Sequence, residues 1–115
     1  MKRDMELVRL LLLRTESGGQ YVTEAEQYDV PTRAYHVLIM REAGLIDAIV
    51  QNDSNGLPAS AVIKRLTWRG HEFLDAARSD AVWQKAREKF FKTTASWTFS
   101  LVLEFLKSEA KKLAG

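Results

Sequence analysis

The chain has no cysteine, two histidines and two prolines. Without thiols there is no disulfide and no thiolate metal site, a pattern that suits a reducing compartment and points to the cytoplasm. With only His36 and His71 available, multi-imidazole zinc motifs lack ligands. No stretch approaches the ~20 apolar residues needed to cross a bilayer. The run Leu10 to Leu13 is too short, and Glu6, Arg9 and Arg14 break up any signal-peptide core. Neither a membrane partner nor a targeting segment is expected.

What is present is a 115-residue chain, 46% apolar and 28% charged. That is enough for one small domain with a core, plus a helical extension. The net charge of +2 is unevenly spread. Residues 1–30 carry four basic and six acidic groups, 31–60 two and three, and 61–115 eleven and six. Any attraction to a polyanion therefore resides in the C-terminal half.

Asp4 to about Glu16 reads as a helix. Leu7, Val8, Leu11 and Leu12 share a face, Met5 lies one turn earlier, and Leu10 and Leu13 widen the face beyond a single side. Ser17-Gly18-Gly19 stops it. In residues 20–28, Tyr21 and Val22 favour a strand and Thr23-Glu24-Ala25-Glu26 a helical turn; a short strand or irregular segment is predicted. Asp29 is placed to cap a helix from Val30 to Ala43, with Pro31 in its first turn and Gly44 at its end. Leu45 to Gln51 and Ala59 to Leu66 are β-rich and flank the turn cluster Asn52–Pro58, which predicts a hairpin. Thr67 then caps a helix to about Arg78. Ser79-Asp80 starts another, to about Lys92, that puts Trp83, Arg87 and Phe90 or Phe91 on one face. After a break at residues 93–96 a last helix covers Trp97–Leu113. The predicted class is mainly α with a small β-hairpin (α+β). The element order is that of a winged helix over residues 1–78 with a helical extension over 79–115.

Two phrases carry a resemblance to known families. Glu42-Ala43-Gly44-Leu45-Ile46 is similar to the end of the recognition helix in bacterial winged-helix regulators of the PadR and MarR kind. Leu66-Thr67-Trp68-Arg69-Gly70 is similar to the phrase that ends their second wing strand. A broader resemblance runs through Met1 to Arg9, Tyr35-His36, Ala43 to Ile46, Leu66 to Asp75 and Trp83, and is to a family of small bacterial and prophage proteins known only as a domain of unknown function. It implies a winged-helix architecture and a mobile-element origin, and supplies no activity.

The residues leave two functional readings open. As a DNA-binding transcriptional regulator, the chain would lay Val30–Ala43 in the major groove of double-stranded DNA. Thr32, Arg33 and His36 would approach bases, with Asn55 at the wing and Lys64 or Arg65 at phosphates. Three features depart from that pattern. Residues 20–28, where a helix-turn-helix needs its first helix, are acidic. From Ala34 to Met40 the only polar side chain apart from Tyr35's hydroxyl is His36. The wing turn carries Asp53 and no Lys or Arg. As a protein-interaction or assembly module, the same scaffold would use Tyr35, Val37, Leu38, Ile39 and Met40 against another protein, since one fold hosts many functions.

Other candidates read as structure. His71-Glu72 lacks the second imidazole of a zinc motif and suits the first turn of a helix. Trp68 is expected to close the seam between the hairpin and the next helix, and Trp83 with Phe90 to dock the helix after it. Lys85, Arg87, Lys89 and Lys92 form a basic stretch that reads as a solvated helix face. No nucleophile–base arrangement or phosphate-binding loop stands out. The chain is not expected to be an enzyme, and no catalytic residue, metal or cofactor is implied. Finally, Trp97, Leu101, Val102, Phe105 and Leu106 on the last helix predict a homodimer contact, or else packing of that helix on the leucine-rich first one.

Overall fold

The computed structural model describes residues 2–18, 24–92 and 96–114. Asp4 opens the first helix, its Oδ1 accepting the N–H groups of Glu6 and Leu7 at 2.9 and 3.4 Å. Those are two of the donors that a helix start leaves orphaned. Helix α1 spans Met5–Glu16 and buries Met5, Leu7, Val8, Leu11 and Leu12. Leu10 and Leu13 are half-buried. Gly18, just past the end, has φ +72°, the left-handed conformation that glycine accepts without strain.

Of the segment expected as a short strand, residues 20–23 lie outside the described residues. Glu24–Gln27 forms a 3-10 helix instead of a strand. Its one buried side chain is Ala25, whose carbonyl accepts the Tyr28 N–H at 3.2 Å. The helical preference of Glu-Ala-Glu prevails there.

Asp29 caps α2 (Val30–Glu42), its Oδ1 accepting the Thr32 N–H at 2.8 Å. At the other end the N–H of Leu45 reaches the Met40 carbonyl and that of Gly44 the Arg41 carbonyl, both at 3.0 Å. With Gly44 at φ +79°, this is a Schellman closure that turns the chain directly into a strand. Strand β1 (Ile46–Asn52) pairs antiparallel with β2 (Pro58–Leu66), with Ile46 opposite Leu66 and Ile49 opposite Val62. The register shifts between Asp47 and Ala48 and again between Gln51 and Asn52. Asp53 organises the turn: its carboxylate accepts the N–H groups of Asn55 and Leu57 at 2.8 and 3.0 Å.

Thr67 joins the hairpin to the third helix. Its hydroxyl donates to the Gly44 carbonyl at 2.5 Å and accepts the Gly70 N–H at 3.1 Å, while its own N–H donates to Leu45 O at 3.0 Å. Helix α3 runs Trp68–Ala77, α4 Asp80–Ala86, a π-helical turn Arg87–Phe91 continues α4, and α5 is Phe99–Ala114. Ser79 and Thr98 cap α4 and α5 through their hydroxyls, which accept the N–H groups of Val82 and Leu101 at 3.3 and 3.1 Å.

The chain divides into two compact units, Met1–His71 and Glu72–Gly115. In the first, α1 packs on α2 and β2, and α2 lies against both strands. In the second, α4 packs on α5 around an aromatic cluster. Phe73 stacks on Phe99 at 5.2 Å and meets Trp83 edge-on at 6.3 Å. Phe90 meets Phe105 edge-on at 5.3 Å. Trp83 and Phe90 are buried, in keeping with the docking role expected of them. Among the described residues, no helix is long and apolar enough to cross a membrane.

Candidate functional site

In the first unit α1, α2 and β2 converge on a cleft of about 520 Å³ that is open on one side. Its apolar lining comes from Leu11 on α1, from Val30, Ala34 and Val37 on α2, and from Ala61, Val62 and Ile63 on β2. Helical spacing explains the α2 set, since positions 30, 34 and 37 lie one turn apart on one face. Three cations stand in the same cleft: Arg14 from the last turn of α1, Arg33 from the first half of α2, and Lys64 from β2. No carboxylate belongs to its described lining.

The cations differ in how they are compensated. Arg14 pairs with Glu26 of the 3-10 helix at 3.7 Å. Arg33 and Lys64 form no ion pair among the described residues, although Arg33 is one of the influences on Asp29. The Asp29 carboxyl is held below its usual range first by hydrogen bonds from Thr32 and last by the Arg33 charge. The Nε of Arg33 is closed off from water and has no acceptor, an arrangement that is costly for a charged group.

The residues expected to meet DNA are dispersed by the fold. His36 is 1% exposed, so the expectation that it approaches a base is corrected. Its Nε2 accepts the Asp4 N–H at 2.8 Å and its Nδ1 lies 2.8 Å from the Thr32 carbonyl. Those partners require the neutral Nδ1–H tautomer and occupy both nitrogens. Asp4 completes the network by accepting the Tyr28 hydroxyl on Oδ2 at 2.8 Å. Burial first, and that carboxylate second, push the Tyr28 pKa up to about 12. Arg65 is held by Asp47 at 2.6 Å across the hairpin. Asn55 is exposed, but the group beside it is the Asp53 carboxylate that shapes the turn. Thr32 is half-buried. Only Arg33 and Lys64 of the six are brought together, and they meet at the cleft.

On α2, Val37 and Met40 are buried, and Tyr35, Leu38 and Ile39 are half-buried. Trp68 is 82% exposed, which corrects the expectation that it closes a seam. Thr67 and Gly70 perform that closure, leaving the indole outside. On α5, which starts at Phe99 rather than at the expected Trp97, Val102 and Leu106 are buried within the single chain, Phe105 is half-buried and Leu101 is exposed; Trp97, ahead of the helix, is half-buried. Val102 and Leu106 are thus not open dimer contacts.

Arg14 was not legible as a site residue, because at the end of α1 it reads as a charge complementing the helix dipole. Its spacing from Arg33 and Lys64 in sequence carries no periodic signal. In the zinc-like phrase, Glu72 pairs with Lys107 at 3.4 Å and Asp75 with Arg78 at 3.0 Å.

These features define a mainly helical protein with one β-hairpin and a cationic, apolar-lined cleft in its first unit. Residues 2–96 match the family model described as Hypothetical protein (DUF2513), and the chain belongs to that family. An uncharacterized protein of Haemophilus influenzae (strain ATCC 51907 / DSM 11121 / KW20 / Rd) is 34% identical over 118 residues, covering 98% of this chain and 95% of its own. No solved structure matches the chain significantly.

Proposed function

We propose that this chain is a winged-helix module that binds a partner protein rather than reading base sequence. The order of α1, 3-10 turn, α2 and hairpin in the first unit supports the winged-helix reading, with the 3-10 turn standing where a regulator has a full helix. The observation that carries the choice is the commitment of polar groups on the recognition elements. His36 has both nitrogens bonded inside the protein, and Arg65 is paired with Asp47. The hairpin turn carries the Asp53 carboxylate and no Lys or Arg, a charge that repels phosphate. Meanwhile Val30, Ile49, Val62 and Trp68 of the same unit are exposed, and exposed apolar groups mark protein contacts when they gather.

Two measurements test this. In a mobility-shift assay at about 50 mM salt, where non-specific duplex binding is strong, random double-stranded DNA is expected to run unshifted. A shift that weakens with salt and is lost in Lys64→Glu would overturn the proposal and restore a regulator using Thr32, Arg33 and Lys64. With a photo-crosslinking amino acid at Val62 in native cells, one discrete heterologous adduct is expected, absent when the same group replaces Gln84. No adduct at Val62 counts against the module.

A further inference from the structure

Positive charge is abundant in the second unit, and most of it is paired. Lys85 is bound by Glu109 at 3.0 Å, Lys92 by Glu88 at 3.3 Å, and Lys89 lies 4.8 Å from the centre of the Phe105 ring. The cleft of the first unit is different. Its lining is mostly aliphatic, it carries three cations, and among the described residues the only ion pair those form is Arg14 with Glu26. A guanidinium already stripped of water at Nε gains more than an exposed one from a carboxylate on its terminal nitrogens, because the surrounding dielectric is low. The apolar surface also continues beyond the cleft: Val62 lines it, is 65% exposed, and stands opposite Ile49, itself 49% exposed.

We propose that the cleft holds a peptide segment of the partner in which aliphatic side chains alternate with carboxylates, an assignment that rests on the protein-binding reading above. The aliphatic groups enter between Leu11, Val37 and Val62, and the carboxylates meet Arg33 and Lys64. A small ligand is disfavoured by geometry. Pockets that retain small molecules enclose most of the ligand surface, whereas this one is open along a side and its apolar surface runs out onto the hairpin. A chain that continues past the cleft covers both.

The test is fluorescence polarisation with three labelled peptides of equal length, alternating Leu/Asp, Leu/Lys and Asp/Ser. The Leu/Asp peptide is expected to bind saturably and the other two not. Lys64→Glu should weaken it about tenfold, and Arg33→Gln likewise, while Lys111→Glu on α5 changes nothing. Lys64 is exposed, so its variant is expected to melt with the parent protein and report on binding alone. Equal binding of the Asp/Ser peptide, or an affinity indifferent to Lys64→Glu, overturns the assignment. Failure of the Leu/Asp peptide while the Val62 crosslink persists overturns the peptide chemistry and leaves the module standing. Displacement of the peptide by duplex DNA overturns both.

Discussion

The Thr67 hydroxyl uses its one proton on Gly44 and one lone pair on Gly70, tying the end of α2 to the start of α3 through a single atom. Gly70 is required for the same closure, since a Cβ there would run into the Leu45 carbonyl oxygen and lie 3.0 Å from its carbon. Gly70→Ala is therefore expected to lower unfolding stability by roughly 3 kcal/mol, the upper end of overpacking penalties, because backbone cannot yield as a side chain can. Thr67→Ala, which removes the hydroxyl that caps α3, should cost about 1–2 kcal/mol. Both are read from urea denaturation; a neutral Gly70→Ala would show that the approach is not tight in solution. His36 offers a second case. Replacing it with leucine keeps the volume but leaves the Asp4 N–H without its acceptor, so a loss of about 1–3 kcal/mol is expected. Accelerated amide exchange at Asp4 would localise the effect, and unchanged exchange would exclude the hydrogen bond as its cause.

At the scale of elements, the helices and the hairpin were readable because each boundary is written locally. Asp4, Asp29 and Ser79 cap helices by side-chain acceptance, and Gly18, Gly44 and Gly56 turn the chain with positive φ; the start of α5 reads two residues early, at Trp97, when the Thr98 cap is not recognised. The segment before α2 was harder, since four residues of Glu-Ala-Glu-Gln carry no period and only Ala25 among them is buried. The cleft was the least readable feature. Arg14, Arg33 and Lys64 belong to three elements and meet only through packing. His36 misled for a related reason: a polar residue on an apolar face looks like a reader until its partners, Asp4 and the Thr32 carbonyl, are in place. The network around it predicts a pH response at the other extreme. Tyr28 has a folded pKa raised from 10.0 to about 12, so its contribution is intact below pH 10. It is lost as pH rises from 10 towards 12, where the unfolded chain ionises first. The stability difference between the parent protein and Tyr28→Phe should shrink over that interval in chemical denaturation; a constant difference would show that the phenol is not held protonated by burial and Asp4.

For the whole molecule, the open question is what the apolar face of α5 does. Val102, Leu103 and Leu106 are all buried in one chain, and Phe105 is committed to Phe90. That leaves Leu101 and Leu113 as the exposed large apolar groups of the helix. A stable two-fold interface needs about 800 Å² from each partner, far more than two leucines supply. The expected species in light scattering is therefore the monomer at 13.1 kDa, unchanged by Leu101→Glu because that side chain already faces solvent. Val102→Glu should instead unfold the second unit, since it forces a charge into a site with no exposure. A species of about 26 kDa, twice 13.1 kDa, converted to monomer by Leu101→Glu would return α5 to the role of a dimer contact. Dimerisation that survives Leu101→Glu but fails with Val62→Glu would place the contact at the cleft, with a second copy of the chain as its occupant.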